Sequence, residues 1–453
     1  MPRVHFVDVT NRDGVQTARI KLSKFQKTML NWYLGRLGIH QSEIGFPYTP
    51  HERNYVRANL ALSAEGAMGN LVLEGWCPAQ ATFVEEALAI GVRDFNISMS
   101  TSDQMIQGKF QGRLTRDDVV RQTVEAIEAA VRGQARTVAV NAEDASKTDD
   151  GFLREFATAA RDAGAMRFRY CDTLGGDSPA VIRDRINRLA ADIEVPIELH
   201  CHNDLGMAVA NSVAGAQGAL EAGQDAWINT CVNGVGERAG NADLASSILA
   251  LKFGHGLAGQ LEIGDDLDLK VLYRLGRYVA RAFHMPVPLN LVAIGQNAFS
   301  HESGIHADGA IKDRHNYELY DLELIGRDAW QPDMVDEQAQ RVILTGEYGG
   351  VAGLRYVYEQ LGIEFESEDD ARDCLMLVQY ANAQNQLPLT DDELRFIARY
   401  PVEVREILTV QPRDLSKPAP LRVPPSDAER RGPAAELEPK PMEMPADRTL
   451  QRT

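Results

Sequence analysis

Val195-Pro196-Ile197-Glu198-Leu199-His200-Cys201-His202-Asn203-Asp204 opens on a short apolar run and ends in a polar cluster. It reads as a buried strand with an exposed, chemistry-bearing end. Side chains at i and i+2 on a strand point the same way. His200 and His202 therefore present two imidazoles to one spot, a geometry suited to a divalent metal. A second apparent strand, Val4-His5-Phe6-Val7-Asp8-Val9-Thr10, runs into Asn11-Arg12-Asp13-Gly14 and brings a carboxylate. The pattern predicts a site of two histidines and one carboxylate with positions left open for a substrate.

Working outward, the same unit recurs over residues 1–255: a short apolar strand, a polar or small-residue loop, then an amphipathic helix. Strands are expected at 4–10, 42–46, 71–76, 93–99, 137–142, 166–172, 196–202 and 226–232, with helices such as 23–37, 79–90, 115–131, 151–163, 178–191 and 207–222 between them. About eight such units in roughly 250 residues is the arithmetic of a (β/α)8 TIM barrel. Cys171, Cys201 and Cys231 fall 30 residues apart on consecutive strand ends, which supports the repeat; the thiols themselves read as core packing. An open doubly wound sheet ranks second, because polar clusters close many strands rather than one switch point. No G-x-G-x-x-G or G-x-x-x-x-G-K-S/T loop is present.

Beyond about 255 the pattern changes. Residues 256–294 read as linker helices, with 266–284 helical before Pro286-Val287-Pro288 breaks the chain. Residues 295–411 read as a smaller, mainly helical subdomain with helices near 335–341, 350–361, 367–382 and 390–398. From Pro412 to residue 453 the chain holds nine of its 20 prolines and few apolar residues, so disorder is expected there.

The whole chain, at 453 residues, suits one large domain plus a smaller one. Its 44% hydrophobic and 25% charged residues describe a soluble globular protein. A net charge of −18 with no basic stripe argues against nucleic-acid binding. No apolar run is long enough for a bilayer, and the start reads as a strand rather than a signal peptide. Five cysteines without C-x-x-C spacing fit a reducing cytoplasm.

In a (β/α)8 barrel the C-terminal strand ends converge on one face, where active sites sit. Asp8, Arg12 and Asp13 would close strand 1, Glu43 would lie on strand 2, Glu143 and Asp144 would close strand 5, and Asp172 and Thr173 strand 6. His200 and His202 close strand 7, and Asn233 closes strand 8. Strands 7, 8 and 1 are neighbours in a closed barrel, so His200, His202, Asn233 and Asp13 form one arc. A lone strand-end histidine is more often structural; an H-x-H pair facing an acid favours a metal. Arg12 beside Asp13 also fits a simple ion pair, and Asp172 a helix cap.

These residues resemble a known family. Asp8-Val9-Thr10-Asn11-Arg12-Asp13-Gly14-Val15-Gln16 resembles the D-x-T-L-R-D/E-G-x-Q signature of the DRE-TIM metallolyases. His200-Cys201-His202-Asn203-Asp204-Leu205-Gly206 and Asn233-Gly234-Val235-Gly236-Glu237-Arg238-Ala239-Gly240-Asn241 are similar to its other two signatures. His301-Glu302-Ser303-Gly304-Ile305-His306-Ala307-Asp308-Gly309 resembles a segment of the Claisen-condensing branch, which includes homocitrate and 2-isopropylmalate synthases. The resemblance covers roughly residues 4–360.

It implies that Asp13, His200 and His202 bind a divalent metal (Mn, with Co, Zn or Mg as alternatives), with Asn233 in or beside its shell. It implies that Arg12, Glu43 and His306 are catalytic, that Gln16, Glu43 and Thr173 line the site and hold the 2-oxo acid, and that the Gly-Glu-Arg-Ala-Gly-Asn loop lies near the acyl-CoA end. His306 matches a histidine that reaches the partner's active site, which implies a homodimer with exchanged C-terminal domains. The implied reaction is an acetyl-CoA condensation with a 2-oxo acid. The metal polarises the carbonyl, a base near His306 or a carboxylate takes the acetyl proton, and Arg12 with the metal meets the alkoxide.

Three departures narrow the substrate. Asn11 stands where the family has Leu, Thr345-Gly346-Glu347-Tyr348-Gly349-Gly350 replaces a G-K/R-H/N-S-G-R type sequence, and a proline-rich tail stands where the leucine-pathway enzyme has a regulatory domain. The forms DVTNRDGVQT, SEIGFP and TGEYGG are similar to Re-type citrate synthases and 2-phosphinomethylmalate synthases. The expected substrate is therefore oxaloacetate or its analogue phosphinopyruvate, the latter implying antibiotic biosynthesis. Glu143 and Lys147 are candidates for substrate binding, with Lys147 at the distal acidic group, although a surface lysine fits equally. Homocitrate or isopropylmalate synthesis is the alternative, and a lyase of the 3-hydroxy-3-methylglutaryl-CoA type ranks lower because it lacks a segment like 295–410.

Overall fold

Alternation along the strands builds the molecule. In β1 (Val4–Asp8), β2 (Gln41–Gly45), β3 (Val72–Pro78), β4 (Asp94–Ser100), β5 (Thr137–Glu143), β6 (Arg167–Asp172), β7 (Ile197–Cys201) and β8 (Ala226–Thr230), one face meets helices and the other points inward. On β6, Phe168 packs against Phe156 outside while Arg169 reaches Glu43, Glu74 and Glu198 of other strands inside. The computed structural model, which describes residues 2–327, 342–385 and 388–408, closes these eight parallel strands into a barrel in sequence order, with β8 against β1. Closure excludes the open sheet. Each strand lies within two residues of its expected limits.

The barrel helices are α1 (Lys24–Leu37), α2 (Arg53–Ala64), α3 (Ala81–Ala89), α4 (Asp103–Gly108), α5 (Arg116–Arg132), α6 (Asp150–Asp162), α7 (Pro179–Ile193), α8 (Ala208–Glu221) and α9 (Leu244–Phe253). Local chemistry sets their ends. Ser23 and Gln26 form a capping box on α1, Thr115 and Asp118 another on α5, and Pro179 opens α7. Gly38 ends α1 in the left-handed conformation at φ 89°.

After the barrel, α10 (Leu272–Ala282) packs its Leu272, Leu275 and Val279 into the barrel's own apolar core. Then β9 (Ser300–His301) pairs in parallel with β10 (Val342–Ile343) beside α11 (Gly304–Lys312). A separate small core around Leu354, Tyr358, Val378 and Ile397 joins α12 (Val351–Gln360), α13 (Glu368–Asn385), α14 (Asp391–Arg399) and α15 (Pro401–Leu408). The expected helix near 335–341 and the tail from 412 lie outside the described residues. Among the described residues no helix is long and apolar enough to cross a membrane.

Candidate active site

The site grows from three strand ends. Val9 hydrogen-bonds through its carbonyl to the amides of Arg12 and Asp13, so the chain after β1 curls tightly and turns both side chains over the barrel mouth. The departure at Asn11 has a physical reason. Its buried amide donates to the Lys27 carbonyl and to Asn31 Oδ1, both at 2.9 Å, and so ties the loop to α1. His200 and His202 rise from the end of β7. The loop after β8 folds back onto them: Asn203 N donates to Gly240 O at 2.9 Å, and His202 forms a bridge with Asn241. At Gly236 a Cβ would lie 2.3 Å from Asn241 Oδ1, so only glycine lets that amide lie there.

Asp13 Oδ2 lies 3.7 Å from His200 Nε2 and 3.8 Å from His202 Nε2, and all three side chains are buried. The His200 tautomer follows from its partners. Asn229 Nδ2 donates to Glu198 at 2.6 Å, so Asn229 Oδ1 accepts from His200 Nδ1 at 3.1 Å. That leaves the Nε2 lone pair facing Asp13. Burial holds both imidazoles below the ordinary histidine range, outweighing Asp13, so both are neutral near pH 7. Burial alone would raise the Asp13 pKa, but the Arg12 guanidinium, helped by the Asn241 amide, outweighs it and keeps the carboxylate ionised.

Oxygen and imidazole donors at these spacings fit a divalent cation of the Mn, Co or Zn type. Two buried atoms have no hydrogen-bond partner here, His202 Nδ1 and Asn241 Oδ1. Asn241 Nδ2 touches Asp13 Oδ2 at 2.7 Å, so turning that amide over presents a fourth donor to the same spot.

Arg12 is clamped between Glu43 (2.5 Å at Nε) and Asp13 (3.1 Å at Nη1), above the Trp76 ring. Burial would lower its pKa, but Glu43 and Asp13 outweigh this and keep it charged. Glu43 itself is fully buried behind Arg12 and also holds Arg169 at 2.6 Å. It positions Arg12 and does not face the cavity.

Together these groups form one wall of a cavity of about 740 Å³ at the C-terminal mouth, which Gln16, Glu143 and Thr173 also line. Besides Glu43, three expected residues lie elsewhere. Asn233 turns its amide to Gly276 O at 2.8 Å, because its backbone is left-handed at φ 59°; Asn241, eight positions on, occupies the place expected of it. Lys147 bonds Gln104 and faces Asp144 outside the cavity lining; the lysine at the cavity is Lys109. His306 lies on exposed α11 against Tyr317 and does not line its own chain's cavity.

Asn241 entered the sequence reading only as the last residue of the Gly-Glu-Arg-Ala-Gly-Asn loop, and Lys109, Arg113 and Trp76 escaped it. A charged or amide side chain in a loop shows nothing of where the loop folds. Arg167 and Arg169 were missed as well, although alternate arginines on an otherwise buried strand require buried acids.

Comparison with known proteins identifies the family. Residues 3–279 match the HMGL-like family and residues 293–385 the homocitrate synthase post-HMGL domain-like family. The chain is 48% identical to the citrate (Re)-synthase of Dehalococcoides mccartyi (strain CBDB1), over 91% of this chain and 99% of that one. It is 35% identical to 2-isopropylmalate synthase 2 of Caldanaerobacter subterraneus subsp. tengcongensis, over 87% and 94%, and 35% identical to homocitrate synthase AksA of Methanothermobacter thermautotrophicus, over 82% and 87%. Among solved structures, the HMG-CoA lyase of Bacillus subtilis superposes with a TM-score of 0.52 at 19% identity, over 64% of this chain and 97% of that one, a likeness of fold. With its barrel, its Asp-His-His cluster and its second matched segment, the chain belongs to the HMGL-like family, among the synthases that carry the post-HMGL domain.

Proposed function

We propose that this acetyl-CoA-condensing transferase joins acetyl-CoA to oxaloacetate and releases a citrate-type 2-hydroxy acid and CoA. The observation that carries the reading is 48% identity, along nearly the whole of both chains, to a citrate (Re)-synthase. The intact Arg12, Asp13, His200 and His202 constellation supports it. A divalent cation held by Asp13, His200 and His202, Mn in our reading, would supply Lewis acidity to the 2-oxo carbonyl.

The chain's own residues supply the rest. The acetyl methyl group gives its proton to a base, and the resulting carbanion attacks the 2-oxo carbon. The oxygen left with negative charge needs a fixed cation, and Arg12 is held for that by Glu43 and Asp13. Water then cleaves the thioester and CoA departs. We assign the base to His306 of the partner subunit, in a homodimer with exchanged C-terminal segments; its exposure beside the exposed Ile305 and Tyr348 supports this. The five cysteines are free thiols, in keeping with a reducing cytoplasm. The match over residues 293–385 favours condensation over lyase chemistry.

The test is CoA release by metal-stripped enzyme resupplied with Mn, offered oxaloacetate, phosphinopyruvate, 2-oxoglutarate and 2-oxoisovalerate separately. Oxaloacetate should give the highest kcat/KM, and EDTA should abolish it. A preference for phosphinopyruvate would make the product a phosphinomethylmalate, and a preference for either of the last two would overturn the citrate assignment.

A further inference from the structure

The cavity is electrically lopsided. Of its four cationic side chains, three have carboxylate partners. Arg12 is held by Glu43 and Asp13, and Arg238 makes a two-pronged pair with Asp204 at 2.9 and 3.0 Å. The other two, Lys109 and Arg113, stand on the loop between α4 and α5. Lys109 Nζ sits 2.6 Å from Glu143 and 3.1 Å from Ser100 Oγ, at the inward-facing tops of β5 and β4. Arg113 donates from Nε to the Phe110 carbonyl at 3.1 Å, and among the described residues no carboxylate is within ion-pair reach of it. This wall therefore carries two cations against one acid, Glu143.

Topology sets the direction. In a ring of eight strands β5 stands opposite β1 and β4 opposite β8, so Lys109 faces the Asp13 wall across the mouth. A 2-oxo acid whose head is held at Asp13 and the two histidines sends its other end toward that wall. Phe46, Trp76, Phe110 and Leu114 also line the cavity.

We infer that Lys109 and Arg113 form the subsite that receives the distal carboxylate of the 2-oxo acid, and so select a dicarboxylic substrate. Glu143 keeps the ammonium aimed inward. This rests on the condensing reading above and on the placement of the substrate head at the histidines. The same cations could meet a phosphate of CoA, which shares the chemistry of a mobile anion at the cavity mouth.

The experiment is steady-state kinetics of Lys109→Met, Arg113→Met and Lys109→Arg in the full chain. Substrates are oxaloacetate and 2-oxobutyrate, which replaces the distal carboxylate with a methyl group; acetyl donors are acetyl-CoA and the phosphate-free S-acetyl-N-acetylcysteamine. Losing one charge-assisted contact should raise the KM for oxaloacetate about tenfold or more. The KM for 2-oxobutyrate and the kcat should change little, and Lys109→Arg should restore most of the loss. Both positions are exposed, so unchanged melting temperatures should confirm folding. If the KM for acetyl-CoA rises instead, and the truncated thioester shows no such rise, the loop reads CoA phosphate and the inference is overturned. An unchanged oxaloacetate KM in both methionine variants also overturns it while leaving the reaction intact. Wild-type enzyme inert with oxaloacetate but active with 2-oxoisovalerate would instead remove the reading on which the subsite rests.

Discussion

Among the described residues, two groups pair two histidines with an aspartate, one at each mouth of the barrel. At the C-terminal mouth, Asp13, His200 and His202 are buried beside a large cavity, with the two Nε2 atoms facing one carboxylate oxygen. At the other mouth, His5 and His40 meet Asp265, but that carboxylate is already used. One oxygen takes His5 Nδ1 at 2.8 Å; the other takes the backbone amides of Phe6 at 3.0 Å and His40 at 3.4 Å. Trp227 stacks on His5 and meets His40 edge-on. The lower cluster clamps the segment after α9 to the starts of β1 and β2. Identical side chains thus do different work, because at one end backbone amides consume the carboxylate and at the other a guanidinium and an amide hold it open.

The largest effect that separates the two clusters should come from His200→Ala or His202→Ala. Either should lower CoA release by at least about 10²–10³-fold and abolish tight binding of one divalent ion. His40→Ala should leave both kinetics and metal stoichiometry at wild-type values. A lower-mouth variant that lost a bound metal would break the comparison.

Next in size is Asn241→Ala, expected to weaken metal binding or activity about 10–100-fold. Asn233→Ala should act on thermal stability rather than on metal affinity, since its amide bonds only the Gly276 carbonyl among described partners. Equal effects on metal affinity from the two variants would contradict the placement of their side chains.

Asp265→Ala should cost about 1–3 kcal/mol of stability by stranding backbone donors, read as a lowered melting temperature with unchanged KM values. A fall in kcat without a fall in stability would move the lower cluster into the reaction.

The smallest effect concerns Asp8, the last residue of β1, between the two clusters. Burial raises its pKa to about 7, against hydrogen bonds from Thr10 that lower it. A raised carboxyl pKa means that the folded state holds the proton longer than the unfolded state. Its contribution is therefore full below the unfolded value near 4 and is lost as pH rises toward 7. Asp8→Asn should remove that slope, so the stability gap between wild type and variant should be smaller at pH 8 than at pH 5. An identical gap at both would show that Asp8 titrates normally.

The barrel was legible because its signals are local. Strand alternation, capping residues and the recurring unit act over a few positions, and the strand limits differ from the expected ones by no more than two residues. His200, His202 and Asp13 were legible for the same reason, since i, i+2 spacing at a strand end fixes direction. Asn241 was not, because its place depends on a loop folding back to meet Asn203 and His202. Lys147 and Lys109 follow strands 5 and 4 respectively, and only the path of each loop decides which one reaches the cavity. Glu43 faces Arg12 and Arg169 rather than the cavity, and Arg169 comes from the far side of the barrel, which the strand that carries Glu43 does not show.

Arg169 also joins what the reaction keeps apart. Through Glu43 it reaches Arg12, and through Glu198 and Asn229 it reaches His200. The residues proposed to meet the reacting carbonyl are thus wired into one lattice inside the barrel. Lys109 and Arg113 hang on a loop with few ties to that lattice. Such a division lets selection exchange the acid that is accepted while inheriting the chemistry unchanged, a route by which citrate-, homocitrate- and isopropylmalate-forming enzymes can diverge from one barrel.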